Sequence, residues 1–225
     1  MKKALLLILA CVFLLSGCIS IEVEEPTGGD TVSIEATEKV VTSEFDEATV
    51  LSQLEVTEYS YKSSVWHYAF LVIANKSEFD IEVSVDIKFY DKNGDLVGAK
   101  NGEQEAFESG TEIVMYFMPD EAYAKMEYEL SVEEEDWYEC VVSDLTYEST
   151  TAKKKEIVSV TNNGTEAAEF VEGSALFFKG DKVVGFEQTY FTDDDSELKP
   201  GKTITKEMDC YKKYDSVKFF FTGRR

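Results

Sequence analysis

The sequence has only one histidine and four cysteines, so the side chains that most metal and nucleophile sites use are scarce. A single imidazole excludes a metal site built from several histidines and a catalytic pair of histidines. Cys11 and Cys18 lie in the apolar N-terminal segment, which leaves Cys140 and Cys210 for the rest of the chain. Two cysteines are too few for a cysteine-rich zinc site. We therefore expect no metal and no cofactor.

Positive charge is also scarce. The chain has 22 Lys and Arg residues against 45 Asp and Glu residues, which gives a formal net charge of −23. Nucleic acids and anionic membrane surfaces would repel such a chain, so its overall charge argues against both as partners. The apolar content of 44% and the aromatic content of 13% are too high for a disordered protein. We expect a folded body and no nucleic-acid partner.

The long apolar run at residues 4–15 follows Lys2 and Lys3. It is too short to span a bilayer, which takes about 20 residues, and it is typical of a signal peptide over residues 1–17. The run ends in Leu-Ser-Gly-Cys at Cys18, which resembles the lipobox of bacterial lipoproteins. The resemblance implies that Cys18 is acylated, becomes the first mature residue and holds the protein at the extracytoplasmic face of a bacterial membrane. An ordinary signal peptide cleaved nearby, or an uncleaved anchor, is the alternative.

Residues 18–46 predict a flexible tether, because they are acidic and rich in Thr, Ser and Glu, with Pro26 and a Gly28-Gly29 pair. Residues 31–42 alternate enough to add a strand instead. As a coil, the tether would reach roughly 30 Å on average and at most roughly 90 Å. Two or three acyl chains hold a protein firmly, whereas one holds it only marginally. Because anionic lipid repels the acidic body, the acyl chains have to supply the attachment.

The rest of the chain contains an internal repeat. Asn75 and Asn162 each follow an apolar segment and are 87 positions apart. The repeat predicts two tandem domains, over residues 47–135 and 136–225. Further matches in the same order are Gly98 with Gly185, 87–91 with 175–179, 110–113 with 201–204, and 123–128 with 214–219.

Each copy has the pattern of a β-sandwich. Residues 81–89 alternate apolar and polar side chains, which predicts a strand with one buried face. Asn93-Gly94 predicts a hairpin with a type I′ turn, in which both central residues need positive φ. Short strands recur roughly every 8–15 residues, and one short helical turn fits near residues 118–123. The prediction is therefore an all-β chain with two tandem immunoglobulin-like β-sandwich domains.

These features resemble the FxLYD-type domains of bacterial cell-surface proteins. The resemblance rests on Ile-Ala-Asn ending at Asn75, on residues 87–94 and on a later Gly-x-Thr-Ile, which stands at residues 201–204, whereas residues 110–113 are Gly-Thr-Glu-Ile. The second copy departs from the pattern with Phe-Lys at 178–179, but it keeps Leu-Lys-Pro-Gly at 198–201. The resemblance implies small immunoglobulin-like sandwiches, often found behind a lipobox, and it implies no catalytic residues.

Cys140 and Cys210 are a candidate disulfide, because two cysteines outside the membrane often pair. Cys140 would open the first strand of the second copy, and Cys210 would follow its penultimate strand. A bond between them would close a loop of about 70 residues and would stabilise the fold by roughly 4 kcal/mol. The first copy has no equivalent pair. Two buried free thiols are an equally good interpretation.

Three further features favour structural roles over sites. Asp91 begins a segment like a calcium-binding loop, but Leu96 and Gly102 stand where that loop needs Gly and Glu. Residues 193–197 cluster carboxylates, and a solvated acidic loop is favoured over a weak calcium site. His67 has no nucleophile motif to serve, so a structural histidine is favoured.

Trp66, Tyr68 and Phe70 are the candidate binding face. The repeat sets the inward face of their strand at Leu71 and Ile73, so the three aromatic side chains should point away from the core. An exposed aromatic row usually marks a contact site, and this one could bind a glycan or a peptide. The alternative is that the second copy, the tether or an added strand covers it.

We expect a non-catalytic, lipid-anchored binding or spacer module that presents two β-sandwich domains. Its expected partners are the membrane, through the acyl anchor, and a protein or glycan ligand at the cell surface. One alternative is a surface hydrolase that uses paired carboxylates. Another is a structural partner of a different envelope protein. A deep pocket lined by carboxylates would favour the hydrolase.

Overall fold

The computed structural model describes residues 44–225. Strands make up most of this part of the chain. The predicted signal peptide, the lipidated Cys18 and most of the predicted tether lie outside these residues. Among residues 44–225, no helix is both long enough and apolar enough to cross a bilayer.

The first half of the described chain, residues 44–134, contains one short helix and six strands. The helix begins after Asp46, whose carboxylate accepts a hydrogen bond from the Thr49 N–H at 2.9 Å and caps the first turn. The alternating pattern predicted for residues 81–89 forms a strand with one buried face, as expected. The elements are α1 (Glu47–Ser52), β1 (Leu54–Lys62), β2 (His67–Asn75), β3 (Ile81–Tyr90), β4 (Leu96–Phe107), β5 (Glu112–Phe117) and β6 (Lys125–Glu134).

The second half, residues 135–225, contains seven strands after a single 3-10 turn at Val142–Asp144. Its second strand alternates buried and part-exposed side chains, which gives it one inward face. The strands are β7 (Leu145–Ala152), β8 (Lys155–Asn162), β9 (Ala168–Lys179), β10 (Lys182–Tyr190), β11 (Glu197–Leu198), β12 (Thr203–Asp209) and β13 (Ser216–Arg224).

The strand order is the same in the two halves. The first half has one sheet in the order β1-β2-β5 and a second in the order β4-β3-β6. The second half has β7-β8-β12 and β10-β9-β13, and the two-residue β11 pairs with the first residues of β9. The pairs between named strands are antiparallel and join strands of the same half. The predicted all-β sandwich fold is confirmed.

Each half has a core between its two sheets. Leu71 and Ile73 of β2 lie in the first core, opposite Phe89 of β3. Val158 and Val160 of β8 lie in the second core at the corresponding positions. Each of these side chains is fully buried and contributes roughly 1.5–3 kcal/mol by leaving water. The inward face predicted for β2 from the repeat is therefore correct.

A buried asparagine holds the end of the first sandwich together. Asn75 Nδ2 donates to the carbonyl oxygens of Phe79 at 2.9 Å and Phe107 at 3.3 Å. Its Oδ1 accepts from the Ser77 N–H at 3.0 Å. The Asn75 carbonyl accepts from the N–H of Gly110, which has φ +77°. One side chain thus satisfies three backbone groups, in the loop at residues 77–79 and at Phe107, that would otherwise lack partners.

Asn162 makes the same contacts in the second sandwich. Its Nδ2 donates to the carbonyl oxygens of Glu166 and Leu198, both at 2.8 Å. Its Oδ1 accepts from the Gly164 N–H at 2.8 Å, and its carbonyl accepts from the N–H of Gly201. The repeat seen in the sequence therefore extends to individual hydrogen bonds.

The repeated glycines lie beside matched irregularities in the strand register. The β3–β4 register shifts next to Gly98, and the β9–β10 register shifts next to Gly185. Each glycine lies against a phenylalanine of the facing strand. An added Cβ would be 3.8 Å from the Phe89 ring at the first position and 3.3 Å from the Phe177 ring at the second. The second position is tighter, because Cys210 Sγ would be only 2.6 Å away.

The folded body begins before the predicted boundary at residue 47. The Phe45 ring packs edge-on against Phe79, with 5.4 Å between ring centroids. Val50 of α1 is fully buried in the first core. The sequence did not predict α1, because a six-residue helix is too short to show helical periodicity.

The β3–β4 turn differs from the predicted type I′ turn. Gly94 has φ +90°, but Asn93 does not have positive φ. The Gly94 N–H donates to the Asp91 carbonyl at 3.1 Å, which makes a three-residue loop closed by a left-handed glycine. The Asp91 carboxylate accepts from the N–H groups of Asp95 at 3.0 Å and Asn93 at 2.7 Å. These hydrogen bonds lower the Asp91 pKa, and the bond from the Asp95 N–H has the largest effect. The carboxylate therefore has a structural role.

The described residues, 44–225, belong to one compact unit. A third buried apolar cluster, distinct from the two cores, joins residues of both halves. The presence of two independent folding domains therefore stays a prediction.

Candidate functional site

The predicted aromatic row points away from the first core, as expected, but it is not one open surface. Trp66, just before β2, is 54% exposed. Tyr68 is half-buried, and Phe70 is fully buried. The exposure therefore falls along the row from the hairpin tip to the middle of the strand.

The second half of the chain covers the buried end of this row. The Phe70 ring lies 5.1 Å from the Phe186 ring, and the Tyr68 ring lies 6.1 Å from the same ring, between centroids. Leu176 and Phe220 complete the cluster from β9 and β13. The expectation of an open binding face at Tyr68 and Phe70 is corrected here. Aromatic surface is costly to leave in water, and β9, β10 and β13 present a matching apolar face.

Charged contacts surround this aromatic interface. Glu112 of β5 pairs with Lys218 of β13, and Glu105 of β4 pairs with Arg224 of β13. The Arg224 guanidinium also lies 3.9 Å from the centroid of the Tyr138 ring. An apolar centre with a charged rim is the anatomy of a specific protein interface, so the two halves pack as partners.

The β1–β2 hairpin tip is open to solvent. Val65 is 71% exposed beside Trp66. The β12–β13 loop approaches this hairpin, because Lys212 Nζ lies 4.7 Å from the centroid of the Tyr61 ring. Tyr211, which precedes Lys212 in that loop, is 80% exposed. The sequence did not reveal this grouping, since its members are far apart in the chain and only the fold brings them together.

The two cysteines of the candidate disulfide are free thiols. Cys210 follows β12 as predicted and is buried, and its Sγ lies 3.4 Å from the Lys212 carbonyl oxygen. Cys140 does not open a strand, but forms an isolated bridge with Arg224 at the far end of β13. Burial raises the pKa of both thiols. The interpretation as two separate thiols therefore fits the structure, with Cys210 buried and Cys140 half-buried, and neither is activated as a nucleophile.

Two lysines pair with part of the acidic loop at residues 193–197. Asp195 Oδ2 lies 2.7 Å from Lys199 Nζ, and Asp193 pairs with Lys202. The Lys199 contact lowers the Asp195 pKa. Among residues 44–225, no group of three or more His, Cys, Asp or Glu side chains is arranged to hold a metal ion. His67 opens β2 opposite Lys62 and is half-buried.

Comparisons with known proteins assign no family. No protein-family model and no curated protein sequence matches the chain. Among solved structures, it is similar to a transglutaminase of red sea bream, at 8% sequence identity and a TM-score of 0.24. The match covers 76% of this chain and 29% of the transglutaminase, so this chain spans under a third of that enzyme's length. This likeness is too weak to transfer an activity.

A pair of carboxyls stands on the outer face of the β4-β3-β6 sheet. A shared hydrogen bond with Glu103, together with partial burial and the charge of Glu103, raises the pKa of Glu82 to about 7. Glu133, opposite Glu82 on β6, adds further repulsion. Like charges this close repel each other, so the carboxyl of Glu82 keeps its proton to a higher pH than an isolated glutamate does.

Replacing Glu82 should change how stability depends on pH. The raised pKa of Glu82 means that the folded state keeps a proton between about pH 4.5 and pH 7 that the unfolded state has released, so the wild type loses stability as pH rises through this window. Glu82→Gln should leave stability unchanged near pH 4 and raise it by about 1 kcal/mol near pH 8, after allowance for solvent screening. Urea denaturation across this pH range measures the difference.

Glu127→Gln is the matched control on the same sheet face. Lys125 lowers the pKa of Glu127 through a salt bridge at 2.5 Å, so removal of this carboxylate should not stabilise the protein at pH 8. An equal gain in stability from both substitutions would show that general charge reduction, rather than the Glu82 pair, is responsible.

Proposed function

We propose that this protein is a lipid-anchored cell-surface module without catalytic activity. Its two β-sandwiches act as one body, which serves as a spacer or carries a surface for a ligand. The buried cluster around Phe70 supports this proposal most directly. The aromatic face at Phe70 joins the two halves, which favours a rigid body over a ligand site at that face.

The anchor is the other part of the proposal. Acylation of Cys18 would place two or three hydrocarbon chains in the bilayer, each buried methylene contributing about 0.8 kcal/mol. The acidic segment that follows would then connect the lipid to the folded body, which begins by Phe45. The protein would thus lie at the extracytoplasmic face of a bacterial membrane.

The carboxyl pair at Glu82 and Glu103 is a poor basis for the hydrolase alternative. Glu103 lines a cavity of about 880 Å³ with Glu47, Asp86 and Glu129, but Glu82 is absent from its lining. The carboxyl with the raised pKa therefore does not face the cavity, whereas glycosidases place both carboxyls around the bond that they cleave. A structural partnership with another envelope protein stays compatible with the proposal.

Substitution of the anchoring cysteine tests the proposal. In bacteria fed a labelled fatty acid, Cys18→Ser should remove the label from the protein and release the protein from the membrane fraction. Cys11→Ser is the matched control, since Cys11 lies in the same apolar segment but upstream of the lipobox cysteine. It should keep both the label and the membrane association. Labelling that survives Cys18→Ser would refute the anchor.

A further inference from the structure

A group of lysines lies at one end of the folded body. This end comprises the β1–β2 hairpin at residues 62–66, the β7–β8 and β9–β10 turns at 153–154 and 179–182, and the β12–β13 loop at 210–215. We call these four segments the basic tip. They contain two aspartates, Asp181 and Asp215, and seven lysines, namely Lys62, Lys153, Lys154, Lys179, Lys182, Lys212 and Lys213.

Direct contacts hold these segments together. Lys212 Nζ lies over the Tyr61 ring at 4.7 Å, which joins the β12–β13 loop to the hairpin. The Cys210 N–H donates to the Lys154 carbonyl at 2.8 Å, which joins the same loop to the β7–β8 turn. The Gly180 N–H donates to Asp215 Oδ2 at 3.1 Å, which adds the β9–β10 turn. The lysines therefore share one end of the body.

The lysines of the basic tip are available to an external partner. All seven are exposed, and within residues 44–225 the salt bridges are made by other cations. The whole chain has a net charge of −23. Seven of its 22 Lys and Arg residues lie in the basic tip, beside only two aspartates, which gives this end of the body a local positive charge.

Apolar side chains project from the same end. Val65 is 71% exposed, Trp66 is 54% exposed and Tyr211 is 80% exposed. Indole and phenol rings are favoured at a membrane–water interface, where one edge is apolar and the other is wet. Lysines near that interface reach anionic headgroups. A hairpin turn also presents its side chains outward, which suits a flat surface better than an enclosed small molecule.

The chain can bring the basic tip to a membrane. Phe45 packs at the opposite end of β1 from the hairpin, and β1 is about 30 Å long at 3.3 Å per residue. The segment between Cys18 and residue 44 spans at most roughly 90 Å when extended. The reach therefore exceeds the length of β1, and repulsion between anionic lipid and the acidic remainder would turn the tip toward the surface.

We propose that the basic tip docks on the anionic lipid surface of the membrane, with Trp66 immersed among the headgroups. The location rests on the proposed function, since an acylated Cys18 would supply the nearby membrane. The docking itself is a separate property of the folded body. The net charge of the whole chain would repel an anionic surface. Docking is nevertheless expected, because the surface contacts the positive charge of the basic tip and not the average charge of the chain.

The two tryptophans allow a matched test. Trp66 is in the basic tip, whereas Trp137 is 85% exposed beside Glu139, which pairs with Arg225 at the other end of β13. The acylated chain carrying Trp137→Phe reports on Trp66, and the chain carrying Trp66→Phe reports on Trp137. Each is bound to vesicles of phosphatidylcholine, with or without phosphatidylglycerol. Flotation measures the anchor, and quenching of tryptophan emission by brominated lipid measures docking.

The expected result is a blue shift and a loss of Trp66 emission on vesicles with phosphatidylglycerol, but no change on phosphatidylcholine alone and none for Trp137. Flotation without a Trp66 response would overturn docking while leaving the anchor intact. An equal response of both tryptophans would overturn it as well. A Trp66 response to a soluble anionic polysaccharide, but not to vesicles, would replace the membrane with a glycan partner.

Failure of the anchor does not prevent the test. The mature chain carrying Cys18→Ser has no acyl chains, and it can be titrated directly with phosphatidylglycerol vesicles. A Trp66 response should still appear, and Lys212→Ala combined with Lys213→Ala should weaken vesicle partitioning roughly thirtyfold. No response of Trp66 in this titration, or no effect of the two lysine substitutions, would refute docking by the basic tip.

Discussion

Phe70→Ala should destabilise the folded body by about 3–5 kcal/mol, the usual cost of truncating a fully buried phenylalanine. Phe70 is 0% exposed and lies in the cluster that both halves form, 5.1 Å from the Phe186 ring. Most of the loss should fall on the packing between the halves, because Phe70 is absent from both sandwich cores. Urea denaturation followed by fluorescence and by far-UV circular dichroism measures the change.

Trp66→Ala is the control for this substitution, because Trp66 is 54% exposed in the same aromatic row. It should change stability by less than about 0.5 kcal/mol. If the halves are separate domains, Phe70→Ala should also split one unfolding transition into two. Equal effects of the two substitutions would contradict the buried interface.

The inward face of β2 could be predicted from the sequence, but the fate of its outward face could not. A strand has a period of two, so once the repeat aligned Leu71 and Ile73 with core positions, the side of Phe70 followed. Nothing in that pattern states which surface packs on the outward side. This depends on the orientation of one half against the other, which the β9, β10 and β13 side chains decide together.

The basic tip could not be predicted for a related reason. Lys62, Lys154 and Lys212 are each unremarkable in their own segments, and the net charge of −23 conceals them. Antiparallel pairing brings the turns of alternate strands to one end of a sandwich, and the interface then brings the hairpin of one half beside the loops of the other. Helix α1 was missed because a single short turn carries no periodic signal.

Asn75→Ala and Asn162→Ala should each destabilise the protein by about 2–4 kcal/mol, because each leaves buried backbone groups without partners. Asn75 serves the Phe79 and Phe107 carbonyls and the Ser77 N–H. Asn162 serves a carbonyl or an N–H at the equivalent points of the second half. Both side chains are almost completely buried. Similar losses are expected, since the two networks have the same pattern.

Asn163→Ala is the control, because it removes a neighbouring asparagine that does not satisfy buried backbone groups. Asn163 is exposed, and its Nδ2 donates to the Thr146 hydroxyl at 2.9 Å, a bond that water can replace. Its substitution should cost under about 1 kcal/mol. Chemical denaturation of the three variants compares them directly. A loss of stability from Asn75→Ala but not from Asn162→Ala would contradict this expectation. The two hydrogen-bond networks would then share a geometry but not a contribution to stability, and other contacts would hold the end of the second sandwich together.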